Sequence, residues 1–206
     1  MKPTGFSQQT ANLVRRRSTL FRRERMAWTV FVAYVLVLWA TLVPSFNLYV
    51  AIYDRVGRET VSFWMNAGVA TVAGIVGLAA AWVYRPRPSG YALLAVLGAA
   101  LAFCLDNLPI PAKRFHFMQY GPLAVLALDA LRFRVRGMEN YIWALVLVVL
   151  VGLGDEVIQH FLPDRYFGFL DVMVNTLAGA MALAFVGGVL RDENYPWPAR
   201  GQRQEE

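Results

Sequence analysis

Residues 141–190 read YIWALVLVVLVGLGDEVIQHFLPDRYFGFLDVMVNTLAGAMALAFVGGVL. Residues 141–162 and 167–190 are apolar stretches, each long enough to cross a bilayer core of about 30 Å at about 1.5 Å per helical residue. The connection between them is short, so the two helices must be antiparallel neighbours. Polar and ionisable residues cluster around that connection, although such groups are costly at membrane depth. This stretch therefore predicts a transmembrane helical pair with a polar site at one end.

The rest of the chain is also too apolar for an ordinary soluble domain, with 57% hydrophobic and 17% charged residues in 206. Four further apolar segments precede the pair, at residues 26–44, 61–84, 88–105 and 115–131. We therefore predict an all-α protein, a polytopic transmembrane helical bundle with six spans. Segments three and four are short, and Pro122 and Asp129 weaken the fourth. The alternative is therefore four spans plus a re-entrant helical hairpin.

The distribution of arginine and lysine predicts the orientation of these spans. In the six-span arrangement, 15 basic residues fall on the side of the N-terminal arm and 5 on the opposite side. The 5 are Arg55, Arg58, Lys113, Arg114 and Arg165. The excess of basic residues places both termini in the cytoplasm. The net charge of +6 does not indicate nucleic-acid binding, because the basic residues lie at the ends of apolar spans and not on one polar face.

Aromatic residues recur at helical spacing between the first two predicted spans. They are Phe46, Tyr49 and Tyr53, with Ile52 beside them. This pattern is typical of a short interfacial helix, here on the outer face, whose aromatic rings lie at headgroup level. A packing role is favoured over a binding role for these residues.

Three stripes of polar residues fall at the same, outer end of the predicted bundle. In chain order they are Lys113, His116 and Tyr120; Asp155, Glu156 and Gln159; and Asp171, Asn175 and Gly179. The spacing places the side chains of the first stripe on one helical face and those of the third stripe on another, and Asp155 and Glu156 both fall within one turn of Gln159. Arg165 lies in the connection beside them, and its planar guanidinium suits a carboxylate or a phosphate. The pattern predicts one polar cluster in the outer leaflet.

Such a cluster has two interpretations. Carboxylates beside Lys113, His116 and Arg165 can supply an acid or base and an anion clamp. Polar side chains can also hold helices together, and the small residues around Gly179 favour close packing. The number of ionisable groups favours a ligand or reaction site over a purely structural network. A metal site is disfavoured, because the chain has two histidines and one cysteine, and we predict no cofactor.

These residues, in this order, resemble the VanZ-like family of small bacterial membrane proteins. The family pattern K-x-x-H-F-x-x-Y matches residues 113–120, and D-E-x-x-Q-x-F-x-P-x-R matches residues 155–165. Asp171 and Asn175, followed by Gly179, complete the resemblance. The chain departs from the family in two places, since Ala112 stands where an aspartate is usual and Asp164 where a glycine is common. Together with the charge and the apolar segments, the resemblance divides the chain into four parts. They are a basic cytoplasmic arm (1–25), N-terminal transmembrane helices with the outer interfacial helix (26–108), a VanZ-like helical core (109–190) and a cytoplasmic tail (191–206).

The resemblance implies a protein of the bacterial cytoplasmic (inner) membrane with a role in the cell envelope. The family is named for a protein linked to low-level resistance to a lipoglycopeptide antibiotic. We expect the chain to bind or modify an anionic lipid or a lipid-linked glycan at the outer leaflet. The acid or base candidates are Glu156, Asp171 and His116, and the substrate-binding candidates are Lys113, Tyr120, Asp155, Gln159, Arg165 and Asn175. Membrane lipids are then its partners. The alternative is a non-enzymatic accessory subunit of a larger membrane protein complex.

Overall fold

The computed structural model describes residues 5–162 and 165–190, and these residues form helices joined by short connections. The helices are α1 (Gly5–Ala40), α2 (Leu42–Tyr84), α3 (Pro88–Asn107), α4 (His116–Leu131), α5 (Met138–His160) and α6 (Phe169–Gly188), with a 3-10 helix (Pro111–Phe115) before α4. The all-α prediction is thus confirmed for this part of the chain. The predicted tail, residues 191–206, and Asp164 lie outside the described residues.

Four of these helices are long and apolar enough to cross a membrane, namely α2, α3, α5 and α6. They correspond to four of the six predicted spans. The other two predicted spans are not among these four helices. α4 has 16 residues, about 24 Å of helix, and α1 has 36 residues but ends at Ala40, four residues before the predicted end. The chain is therefore a helical protein of membrane character. The six-span count and the side on which the termini lie stay predictions.

Two breaks isolate a short helical segment after α1. Pro44 has no N–H group to offer the carbonyl of Ala40, and its ring crowds that carbonyl, so α1 ends at Ala40 and α2 begins at Leu42. Within α2, Gly57 adopts φ 79° and ψ 168°, a conformation that side-chain-bearing residues rarely adopt. Residues 42–56 therefore form a separate helical piece, which carries the aromatic residues predicted for the interfacial helix.

The shortest of the six α-helices lies at the centre of the fold. α4 packs against α1, α5 and α6, whereas α3 packs against α2 and α6. The buried residues of α4 are Tyr120, Leu123, Ala124, Ala127, Leu128 and Ala130. Alanines at this face allow the neighbouring helices to approach closely. α2 and α3 expose most of their apolar side chains, so the outer helices are suited to lipid and α4 forms the core.

The approach of α5 and α6 depends on Gly179, because a Cβ atom there would lie 2.8 Å from Cγ1 of Val148. We predict that Gly179→Ala lowers the free energy of unfolding by about 1–3 kcal/mol through overpacking. Val148→Ala in the same chain should restore part of the loss, because it removes the colliding methyl groups. Thermal unfolding in detergent, followed by circular dichroism, measures both effects.

Gly74→Ala is the matched control, because nothing lies within 4 Å of a Cβ atom at Gly74. It should leave the unfolding transition unchanged or slightly higher, since alanine is the better helix former. Equal stability of Gly179→Ala and the wild type would contradict the close α5–α6 contact.

Candidate functional site

The predicted site residues converge at one end of the bundle, where the 3-10 helix leads into α4, α5 ends and α6 begins. The three helices pack against one another there, and the short connection from α5 to α6 closes the same end. Helical periodicity therefore directs one polar face of each element toward a shared space. The contacts below join all three predicted stripes.

Asp171 joins the first stripe to the third. Nζ of Lys113 donates a hydrogen bond to Oδ2 of Asp171 at 2.8 Å, and Nε2 of His116 lies 3.7 Å from Oδ1 of the same carboxylate. Asp171 is in the first turn of α6, where a negative charge interacts favourably with the helix dipole. The Lys113 ammonium is thus neutralised by a carboxylate from another helix.

Asp155 joins the first stripe to the second. The hydroxyl of Tyr120 donates a hydrogen bond to Oδ2 of Asp155 at 3.0 Å, and both residues are buried. Oδ1 of Asp155 has no hydrogen-bond partner in the part of the chain that the structure describes. This contact lies deeper in the bundle than the Lys113–Asp171 pair, because each of its residues is further from its helix end.

Glu156 is held by the connection that leads into α6. Its Oε2 accepts a hydrogen bond from the backbone N–H of Gly168 at 2.7 Å, and its Oε1 accepts one from Nε2 of Gln159 at 3.3 Å. A Cβ atom at Gly168 would collide with Oδ2 of Asp171 and lie 3.4 Å from Oε2 of Glu156. Gly168 therefore lets two carboxylates from different helices approach the same stretch of backbone.

Asn175 is fully buried in the α5–α6 interface. Neither Oδ1 nor Nδ2 has a hydrogen-bond partner among the described residues. A Cβ atom at Gly152 of α5 would lie 3.2 Å from Nδ2 of Asn175 and 3.6 Å from Cε1 of Tyr120. An unsatisfied buried amide costs about 1–3 kcal/mol. The Asn175 amide is thus an energetically costly polar group beside the Tyr120–Asp155 contact.

Arg165 takes a different partner from the carboxylates that the sequence offered it. Its guanidinium carbon lies 3.7 Å from the ring centroid of Phe46, on the 42–56 helical segment. Burial lowers the pKa of Arg165, while attraction to Glu156, Asp155 and Asp171 opposes that shift. The guanidinium stays charged in any case. It lies near the carboxylates without an ion-pair contact to any described residue.

The sequence did not indicate Gly152, Gly168 or the contact between Phe46 and Arg165. Gly168 and Gly152 carry no side-chain chemistry, so neither belongs to a polar stripe. A glycine directly before an apolar helix was the available signal for Gly168. Phe46 was assigned to packing, and no pattern links it to Arg165, more than a hundred positions away. Within the described residues, no group of three or more His, Cys, Asp and Glu side chains has the arrangement of a metal site.

The arrangement separates the charged groups by environment. Asp171 is neutralised by Lys113, Glu156 accepts hydrogen bonds from a backbone amide and an uncharged side chain, and Asp155 accepts one from a phenol. Carboxylates in such different environments are suited to different protonation roles. Arg165 adds a cation whose N–H groups make no hydrogen bond to a described residue. The site can therefore offer proton donors or acceptors together with an anion-binding group.

Comparison with known proteins adds one finding about the whole region. A family model described as VanZ/LLP1 matches residues 30–190, from within α1 to just beyond α6. The match includes every residue of the site described above. No match was found among curated proteins or among solved structures.

The Lys113–Asp171 contact should be a strong one, because hydrogen bonds to charged groups away from bulk water contribute about 1.5–3 kcal/mol. We predict that a double-mutant cycle of Lys113→Met and Asp171→Asn gives a coupling energy in that range, measured by thermal unfolding in detergent. The Asp129–Arg132 pair of α4, at 2.9 Å and about a third exposed, is the control. Its cycle should give less than about 1 kcal/mol, and a Lys113–Asp171 value no larger than this would contradict the prediction.

Proposed function

The chain belongs to the VanZ/LLP1 family, and on this basis we propose that it binds an anionic lipid or a lipid-linked glycan at the outer leaflet of the bacterial cytoplasmic membrane. The ligand would present a phosphate group to the polar end of the bundle. If that ligand is a cell-wall precursor, the protein acts in the envelope step that lipoglycopeptide antibiotics disturb.

Arg165 is the observation that carries this proposal. Its guanidinium is half-buried, charged and without a hydrogen-bond or ion-pair partner among the described residues, whereas Lys113 is already neutralised by Asp171. Arginine has five N–H donors in a planar fork that matches the oxygens of a phosphate. A charged group held this way at the end of a membrane helix pair favours an anionic ligand that reaches the headgroup region.

The distribution of charge supports the outer leaflet. Arg165 and Lys113 are at the end of the bundle that carries few basic residues, whereas Arg132, Arg134 and Arg136 follow α4 at the opposite end. Basic residues are enriched on the cytoplasmic side of membrane proteins. The polar site would then face the leaflet in which exported lipid-linked precursors and phospholipid headgroups are found.

The carboxylates determine what chemistry could follow binding. Glu156 and Asp171 meet at the backbone of Gly168, and His116 lies beside Asp171. A modification of the bound headgroup would draw its acid and base from these three side chains. Lys113 would bind the phosphate together with Arg165 through the N–H donors that its hydrogen bond to Asp171 leaves over, since an ammonium group has three. Tyr120, Asp155, Gln159 and Asn175 would orient the ligand from the buried side.

The exposed surface of α2 and α3 favours a second candidate function. Large apolar side chains there point away from the bundle, including Phe63, Trp64, Leu78, Trp82 and Phe103. A non-enzymatic accessory subunit of a larger membrane complex would cover this surface with another protein, whereas a protein that acts alone would leave it to lipid acyl chains. The two candidates differ in what co-purifies with the chain under gentle conditions.

Native mass spectrometry of the full chain in detergent tests the proposal. We expect it to retain phosphatidylglycerol in preference to diacylglycerol, which lacks the phosphate. Arg165→Ala should lower the affinity about tenfold or more, because charge-assisted hydrogen bonds of about 1.5–3 kcal/mol are lost and about 1.4 kcal/mol corresponds to tenfold. Circular dichroism should show that the variant is still folded.

Arg132→Ala is the matched control, since it removes the same charge at the opposite end of α4, where Arg132 pairs with Asp129. It should retain phosphatidylglycerol as the wild type does. An equal loss of affinity in Arg165→Ala and Arg132→Ala would mean that only the net charge of the protein matters, which would contradict a phosphate site at Arg165. A stable large assembly without bound lipid would support the accessory-subunit function instead.

A further inference from the structure

Phe46 reaches the site from outside the polar stripes. It lies on the 42–56 helical segment, between the break after Ala40 and the break at Gly57. Its ring lies against the Arg165 guanidinium, whose carbon is 3.7 Å from the ring centroid. Both side chains are half-buried. The cation of the proposed lipid site is therefore in contact with an element remote in sequence.

The short distance between the Arg165 guanidinium and the Phe46 ring limits the orientation of the guanidinium on that ring. At 3.7 Å between the guanidinium carbon and the ring centroid, we expect the group to lie flat on the ring, because an edge-on guanidinium would bring its N–H hydrogens into close contact with the aromatic carbons. The five N–H donors then point outward in the plane of the group. One face of the cation is covered by the ring, and its hydrogen-bonding edge is left for an oxygen ligand.

Three carboxylates compete with the ring for this cation. Glu156, Asp155 and Asp171 all attract the guanidinium electrostatically. A flexible arginine at this position would turn its donors to one of them and form an ion pair, as Lys113 does with Asp171. An ion pair of this kind would occupy the donors that a phosphate needs.

The segment that carries Phe46 is attached to the rest of the fold just beyond Gly57. Nη2 of Arg58 donates a hydrogen bond to the carbonyl of Pro109 at 2.9 Å. The buried Arg114 donates to the carbonyls of Ser62 and Leu108, at 3.2 and 3.1 Å. These contacts fasten α2, just beyond the segment that carries Phe46, to the connection that precedes Lys113 and to the 3-10 helix that contains it.

We propose that Phe46 is a positioning residue of the lipid site, which holds the Arg165 guanidinium flat and directs its N–H edge to the phosphate of the ligand. This inference rests on the proposed function and adds the element that makes Arg165 available. It gives the 42–56 segment a role in phosphate binding in addition to packing at the membrane surface.

The test compares Phe46→Leu with Phe46→Trp in the full chain, by titration with phosphatidylglycerol and native mass spectrometry. Phe46→Leu should lower the affinity roughly threefold to tenfold, the range of a cation–π contact, and Phe46→Trp should restore it. In an Arg165→Ala background, Phe46→Leu should cause no further loss. Tyr53→Leu, which removes an aromatic ring packed on Tyr49 in the same segment, should bind as the wild type does.

The outcomes separate the two proposals. A wild-type chain that does not prefer phosphatidylglycerol over diacylglycerol overturns the proposed function and, with it, the role of Phe46. Two results would overturn only the role of Phe46 in a chain whose wild type shows this preference. One is a Phe46→Leu variant that binds phosphatidylglycerol as tightly as the wild type. The other is a loss of affinity from Phe46→Leu that is as large in the Arg165→Ala background as in the wild type. Should Phe46→Leu fail to fold by circular dichroism, Phe46→Met carries the same comparison with a side chain of similar volume.

Discussion

A carboxylate buried among apolar helices needs a hydrogen-bond donor or a cation, and this requirement organises the polar end of the protein. Asp155, Glu156 and Asp171 obtain their partners from a helix or connection other than their own: the Tyr120 hydroxyl, the Gly168 amide and the Lys113 ammonium. Each contact offsets a desolvation cost of several kcal/mol. Because the donors come from three separate elements, satisfying the carboxylates also sets how α4, α5 and α6 meet at this end.

This requirement gives α4 its central place. The helix has 16 residues and is the shortest of the six, yet its alanine-rich face lets α1, α5 and α6 approach it, and Tyr120 projects toward Asp155 from its first turns. The longer helices α2 and α3 contribute little to the core. Their contribution to the site is indirect, through the 42–56 segment that brings Phe46 to Arg165. The part of the chain with the weakest packing thus contacts the cation on which the proposed function depends.

Much of the site could be predicted because helical spacing decides which side chains share a face. Lys113, His116 and Tyr120 lie on one such face, and the short α5–α6 connection brings the other two stripes near them. The sequence did not show which of these side chains contact one another. Arg165 had several carboxylates within reach by sequence, and the structure stacks it on Phe46, because the Pro44 and Gly57 breaks fold a distant segment over this end. Gly168 and Gly152 were not predicted, because they contribute by having no side chain, which lets neighbouring groups approach closely.

The helical content, the apolar character of the helices and the gathering of polar residues at one end can all be read from the order of the amino acids. Those properties follow from composition and from a helical period that is the same in any context. The individual pairs depend on three-dimensional packing: Asp171 with Lys113, Glu156 with the Gly168 amide, and Arg165 with Phe46. The distance between two helices depends on how closely their backbones can approach, and here Gly152, Gly168 and Gly179 set that approach in three dimensions.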